Sequence, residues 1–170
     1  MGGRLALRLA HLAPNLVEGL TLISASPGLE DEAGRASRRA LDDRRAEEIL
    51  SDFAQFRLRW YAAPLFALEA EQVARAAARR AAVDPASAAE MIRALSPGRE
   101  PASWSVLDSL VGPVLLVAGE RDAKYAALTQ RIYERLGGRG SLALIPGVGH
   151  STHVDAPTQL GRLIDVWLSA

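Results

Sequence analysis

The chain has 170 residues, 49% hydrophobic and 24% charged, which is ordinary globular composition and enough for one domain with a real core. Its 20 basic and 20 acidic residues cancel to a formal net charge of zero, which argues against a general nucleic-acid or membrane-surface role. Cysteine is absent, so disulfides and thiolate metal sites are excluded, and cytoplasmic residence is the expectation.

The first residues, Met1-Gly2-Gly3-Arg4, read as the back half of a nucleophile elbow. In G-x-S-x-G a serine sits on a sharp strand-to-helix turn, and small neighbours let the turn close. With Met1 as the residue after that serine, Gly2 is the last glycine of the motif. The serine is then expected one position ahead of Met1, and the chain is expected to be truncated just after it. Residues 2–13 are rich in Ala and Leu and predict an amphipathic helix stopped by Pro14. Arg4 and Arg8 interrupt the run, so it lacks the layout of a signal peptide. No apolar run reaches the roughly 18 residues of a membrane span, and none is expected.

Leu20–Ser24 is a short apolar run between Gly19 and Ser26-Pro27-Gly28, the pattern of a buried parallel strand. Residues 30–95 change character: they are dense in Arg, Glu and Ala and hold Phe53, Phe56, Trp60, Tyr61 and Phe66. Pro64 and Asp84-Pro85 divide this stretch into three or four helices, and Ser96-Pro97-Gly98 and Pro101 lead out of it. Gly112–Gly119 is the clearest strand. A helix over 124–136 follows, with Gly137-Gly138 as its stop. Leu142–Ile145 predicts another strand, and Leu160, Leu163, Ile164, Trp167 and Leu168 predict a final helix over 155–169.

The order is helix, strand, helical insertion, strand, helix, strand, helix. Such alternation builds a parallel sheet covered by helices, here with about three strands. The expected division is residues 1–28 with 101–170 as an α/β core, and 29–100 as a helical cap.

In such sheets functional groups collect at the carboxyl ends of strands. Asp122 follows one strand end. His150 follows the next, through Pro146-Gly147-Val148-Gly149. Alone, Asp122 reads as a helix N-cap and His150 as a loop histidine. Together they can form a carboxylate–imidazole pair that fixes the tautomer and stabilises the charged ring. The order (Ser), Asp, His is that of the α/β-hydrolase fold. His150 and His153 also spell H-x-x-H, but no cysteine or third histidine completes a ligand set, so no metal site is expected.

Several motifs fall in the order of one family. They are Met1-Gly2-Gly3-Arg4, Ser24–Leu29, Trp60-Tyr61, Gly119–Tyr125 and Gly147–His153. The chain resembles the 2-succinyl-6-hydroxy-2,4-cyclohexadiene-1-carboxylate synthases of menaquinone biosynthesis, over essentially its whole length. The resemblance implies a partial α/β-hydrolase fold with an inserted helical cap. It implies a pyruvate-eliminating carbon–oxygen lyase in which a Ser-Asp-His triad abstracts a proton, with no cofactor. Asp122 and His150 take the catalytic positions. The Met1 backbone N–H takes that of an oxyanion donor. The substrate is a small anion, and the resemblance places Arg4, Arg38, Trp60 and Arg79 or Arg80 around it. Arginine suits this because its planar fork binds carboxylates in bidentate fashion.

Ser24 and Ser26 lie in no elbow and do not replace the missing serine. The isolated chain is therefore expected to have little activity, because removing one member of a triad can cost as much as removing all. The strand at 20–24 is expected to present an open edge capable of self-association. Two further readings stand beside the first: a fragment of another α/β-hydrolase, such as an esterase or carbon–carbon bond hydrolase, and a non-catalytic fragment.

Overall fold

Runs of Val, Leu and Ile bounded by turn residues become strands here, and the alternating Arg/Ala stretches become helices. A computed structural model describes residues 1–169. Two units can be distinguished, Met1–Pro27 together with the chain from Ser103 onward, and Gly28–Ala102.

The first unit holds a parallel sheet of three strands in the order β1-β2-β3: Leu20–Ile23, Val114–Gly119 and Gly140–Ile145. Central β2 is buried at all six positions. Its side chains alternate in direction. Leu115 and Val117 pack with Ile145, Val148, Ala156 and Leu160, backed by Leu163, Ile164 and Trp167. The intervening Val114 and Leu116 are equally buried on the other face. Each such aliphatic side chain withdrawn from water contributes about 2 kcal/mol. Among the described residues β1 pairs only with β2, in the register Leu20↔Val114 to Ile23↔Val117.

Helix α1 (Gly2–Leu12) buries Leu7 and Ala10 and leaves Leu5, Leu9 and Leu12 exposed. A Cβ on Gly3 would stand 2.5 Å from the Cβ of Ala25, so glycine lets the first turn of α1 lie against the chain leaving β1.

In the second unit α2 (Glu32–Ser51) starts at Asp31, whose carboxylate accepts from Gly34 N–H at 2.6 Å. It packs on α5 (Pro85–Ala94), where Ala46 and Ile49 meet Ala88 and Ala89. Between them run α3 (Phe53–Tyr61) and α4 (Ala70–Ala78). The short α6 (Val106–Ser109) returns the chain to the sheet unit. There α7 (Ala123–Leu136), α8 (Thr152–Asp155) and α9 (Pro157–Leu168) complete it.

Three boundaries differ from expectation. Strand β3 begins at Gly140, because the ladder aligns Gly140 and Ser141 with Val114 and Leu115 although neither has a strand-forming side chain. The last helix, predicted over 155–169, begins only at Pro157 as α9, because Ala156 at φ −143 and ψ 55 separates it from the short α8; proline disfavours a helical residue before it. Asp52 ends α2 and caps α3, accepting from Gln55 N–H at 3.0 Å, so one helix becomes two without proline or glycine.

Candidate active site

The two candidate catalytic side chains meet. His150 Nδ1 lies 2.5 Å from Asp122 Oδ2. An ionised carboxylate only accepts hydrogen bonds, so Nδ1 carries the proton and Nε2 is the basic nitrogen. The Asp122 side chain is 5% exposed and that of His150 21%, a pair largely withdrawn from solvent. Tyr125 leans on the imidazole, with ring centroids 4.6 Å apart.

Both readings of Asp122 hold at once. It is the N-cap of α7, and its Oδ1 accepts from Tyr125 N–H at 3.3 Å while Oδ2 takes the histidine. The helix start orients the carboxylate, and the carboxylate orients the ring.

Close contact between two loops sets this geometry. Glu120 N–H donates to Ile145 O at 3.0 Å and Arg121 N–H to Val148 O at 2.9 Å. Glu120 Oε2 accepts from Gly147 N–H at 3.0 Å. At Gly119 a Cβ would stand 2.1 Å from Gly149 O and 2.3 Å from Val148 O, so only glycine admits the loop that leads to His150. Gly147, at φ 71, supplies the left-handed residue of the turn.

A third strand end contributes. Ser24, just after β1, donates its hydroxyl to the backbone oxygen of His150 at 3.1 Å. Sequence reasoning set Ser24 aside because it lies in no elbow. Its partner is a main-chain atom 126 residues away, and no local pattern announces that.

The remaining candidates divide between the units. Met1 is the N-cap of α1, and its carbonyl accepts from Arg4 N–H at 3.0 Å. Arg4 is half-buried in the first turn of that helix. His153 is exposed on α8.

In the helical unit Arg38 Nε binds Asp42 Oδ2 at 2.8 Å, and Arg45 Nη1 binds Asp42 Oδ1 at 2.9 Å. Asp42 is only 2% exposed, the most buried charged residue described. Its burial pushes the carboxyl up, but hydrogen bonds from Ser96, Arg38 and Arg45 outweigh this and hold it below its ordinary value. Arg38 is thus anchored through Nε, with its side chain about one-third exposed. Arg45 also lies over Trp60, 5.2 Å from the ring centroid. Trp60 stacks on Phe56 at 5.7 Å and is part of the aromatic packing of this unit. Arg79 and Arg80 are exposed in the turn after α4.

A three-stranded parallel sheet that ends in a carboxylate–histidine pair defines the class. The chain belongs to the alpha/beta hydrolase family, whose model matches residues 1–162. Within it the chain is similar to 2-succinyl-6-hydroxy-2,4-cyclohexadiene-1-carboxylate synthase of Salmonella newport, at 31% identity over 159 residues, covering 92% of this chain and 61% of the relative. A Bacillus subtilis protein named for the same synthase is 31% identical over 175 residues, covering 100% of this chain and 64% of the relative. Among solved structures, MenH from S. aureus superposes with a TM-score of 0.90 at 28% identity, covering 98% of this chain and 64% of that one. A thermophilic esterase from Thermogutta terrifontis shares the fold, with a TM-score of 0.80 at 21% identity. The chain spans less than two thirds of the length of the relatives it matches.

Proposed function

We propose that the chain is the Asp–His-bearing part of a 2-succinyl-6-hydroxy-2,4-cyclohexadiene-1-carboxylate synthase, a lyase that eliminates pyruvate. The observation that carries the proposal is the 2.5 Å contact between Asp122 and His150, on a chain 31% identical to named synthases. With Nδ1–H given to Asp122, the imidazole takes up a proton at Nε2 and the carboxylate stabilises the cation that results. In the triad pattern His150 removes the proton of a serine, and the serine oxygen removes that of the substrate. No acyl-enzyme and no cofactor are needed.

The serine belongs to the elbow ahead of Met1 in that pattern, so the 170 residues alone turn over little substrate. The Met1 backbone N–H donates to the developing anion. By the resemblance, Arg4 of the first unit is a candidate partner for a substrate carboxylate, and so, in the second unit, are Arg38 and Arg79 or Arg80, with Trp60 a candidate for the ring. Anchoring of Arg38 by Asp42 supports this, because a guanidinium fixed in advance loses less entropy when it takes an anion.

The test joins the chain to the part of the Bacillus subtilis relative that the match leaves out. Pyruvate release and hydrolysis of a simple ester are then followed side by side. The expected result is pyruvate release that disappears in His150→Ala. Ester turnover without pyruvate release rejects the synthase reading in favour of an esterase.

A further inference from the structure

Ser24 has a backbone conformation that its side chain disfavours. Its φ is +43°, and among the described non-glycine residues only Ala67 shares this left-handed region. A Cβ is strained there and glycine is not. The position is also fixed from behind: Ser24 N–H makes the last ladder bond of β1, to Val117 O at 2.8 Å. The chain therefore turns left-handed directly at the end of the strand. That turn delivers the hydroxyl to His150 O.

A serine that ends a parallel strand in this conformation could be read as a nucleophile. Its bonding says otherwise, because the hydroxyl proton goes to the main-chain oxygen of His150. The histidine is consequently held at two points from two strand ends. Asp122, after β2, holds the imidazole, and Ser24, after β1, holds the carbonyl. A side chain clamped at its ring alone can still be misdirected by movement of its own backbone. Here the loop after β3 is tied down on the side of β1 as well as that of β2. Strained backbone persists where surrounding contacts over-determine it, and such positions cluster at functional sites.

We propose that Ser24 is a positioning residue for His150: its left-handed turn presents a hydroxyl that fixes the His150 backbone so that Nδ1 meets Asp122. Glycine at this position would relieve the strain, so the turn alone does not account for a serine. The proposal rests on the Asp122–His150 pair of the site described above, but not on the reaction assigned to it.

The test uses the whole chain and reads the imidazole rather than activity. Proton NMR follows the hydrogen-bonded Nδ1 proton of His150 and its exchange with water, and ¹⁵N shifts report which ring nitrogen carries the proton. Ser24→Gly removes the hydroxyl and suits the backbone. Ser24→Ala removes the hydroxyl and keeps the strain. Both are expected to speed exchange of that proton about tenfold, the upper factor that one ordinary hydrogen bond contributes. Ser24→Gly is expected to melt no lower than Ser24→Ala. Parent-like exchange and ¹⁵N shifts in Ser24→Gly overturn the proposal. So does failure of Ser24→Gly to fold, since a residue that holds the whole unit is not specific to His150. A parent chain with no such proton signal rejects the Asp122–His150 pair itself. No pyruvate release from the joined protein, with the signal intact in the chain, rejects only the synthase reading.

Discussion

Replacing Gly119 with alanine tests the loop contact on which the acid–histidine pair depends. The added Cβ would stand 2.1 Å from Gly149 O and 2.3 Å from Val148 O, where contacts under 3.0 Å are essentially never seen. Neither obstacle is the end of a flexible side chain, so the backbone itself must retreat by roughly an ångström. Arg121 N–H to Val148 O, at 2.9 Å, then passes beyond hydrogen-bonding range, and Glu120 N–H to Ile145 O, at 3.0 Å, is pulled with it. Two such bonds contribute about 1 kcal/mol each, and overpacking adds about 1–3 kcal/mol. The expected loss is about 3–5 kcal/mol, out of a total of about 5–15 kcal/mol for a folded domain. Melting followed by circular dichroism should fall by about 10 °C. In the joined protein, an ångström of displacement at His150 should cost about a hundredfold in pyruvate release. A Gly119→Ala chain that melts within a degree or two of the parent, with the His150 Nδ1 proton unchanged, would refute the argument.

Other substitutions separate stability from chemistry. Gly161→Ala lies within α9, where a Cβ meets nothing within 4 Å, so it should raise stability by about 0.5–1 kcal/mol in urea unfolding. Asp42→Ala leaves Arg38 and Arg45 without their shared acceptor and should cost about 3 kcal/mol in the same measurement. Because the Asp42 carboxyl is held below its ordinary 3.8, its contribution is complete above that value and is lost as pH falls through the lower folded value. The acid limb of a stability–pH curve should therefore be shallower in Asp42→Asn than in the parent. Asp122→Asn keeps an oxygen to cap α7 but turns an amide toward His150 Nδ1. Stability should change by less than about 1 kcal/mol, while pyruvate release in the joined protein falls about 10⁴-fold.

The sheet was legible in the sequence because β2 is buried on both faces and is written as an unbroken apolar run. The start of β3 was not, since Gly140 and Ser141 owe their strand conformation to pairing with Val114 and Leu115. Asp122 and His150 could be found because each follows the carboxyl end of a strand, where parallel sheets collect functional groups. Asp42 could not. Its spacing from Arg38 and Arg45 was visible, but so was that of several other charges on an Arg-rich helix. What distinguishes Asp42 is burial and a hydrogen bond from Ser96, which lies beyond three intervening helices. Ser24 shows the same limit in the backbone. A left-handed φ is legible at glycine and hidden at serine.

Asp122 also shows why the bland and the functional reading of a residue need not compete. Capping α7 requires one carboxylate oxygen near Tyr125 N–H, and that requirement fixes where the other oxygen points. The second oxygen then needs a donor, and the loop admitted by Gly119 brings His150 Nδ1 to it. The first turn of the helix therefore orients the carboxylate for the histidine, and little conformational entropy remains to be lost when the pair forms. It follows that the two functions can be separated only by a side chain that caps equally well and bonds differently. Asparagine meets that condition and alanine does not, so the difference between Asp122→Asn and Asp122→Ala in stability measures the cap, while their shared loss of chemistry measures the pair.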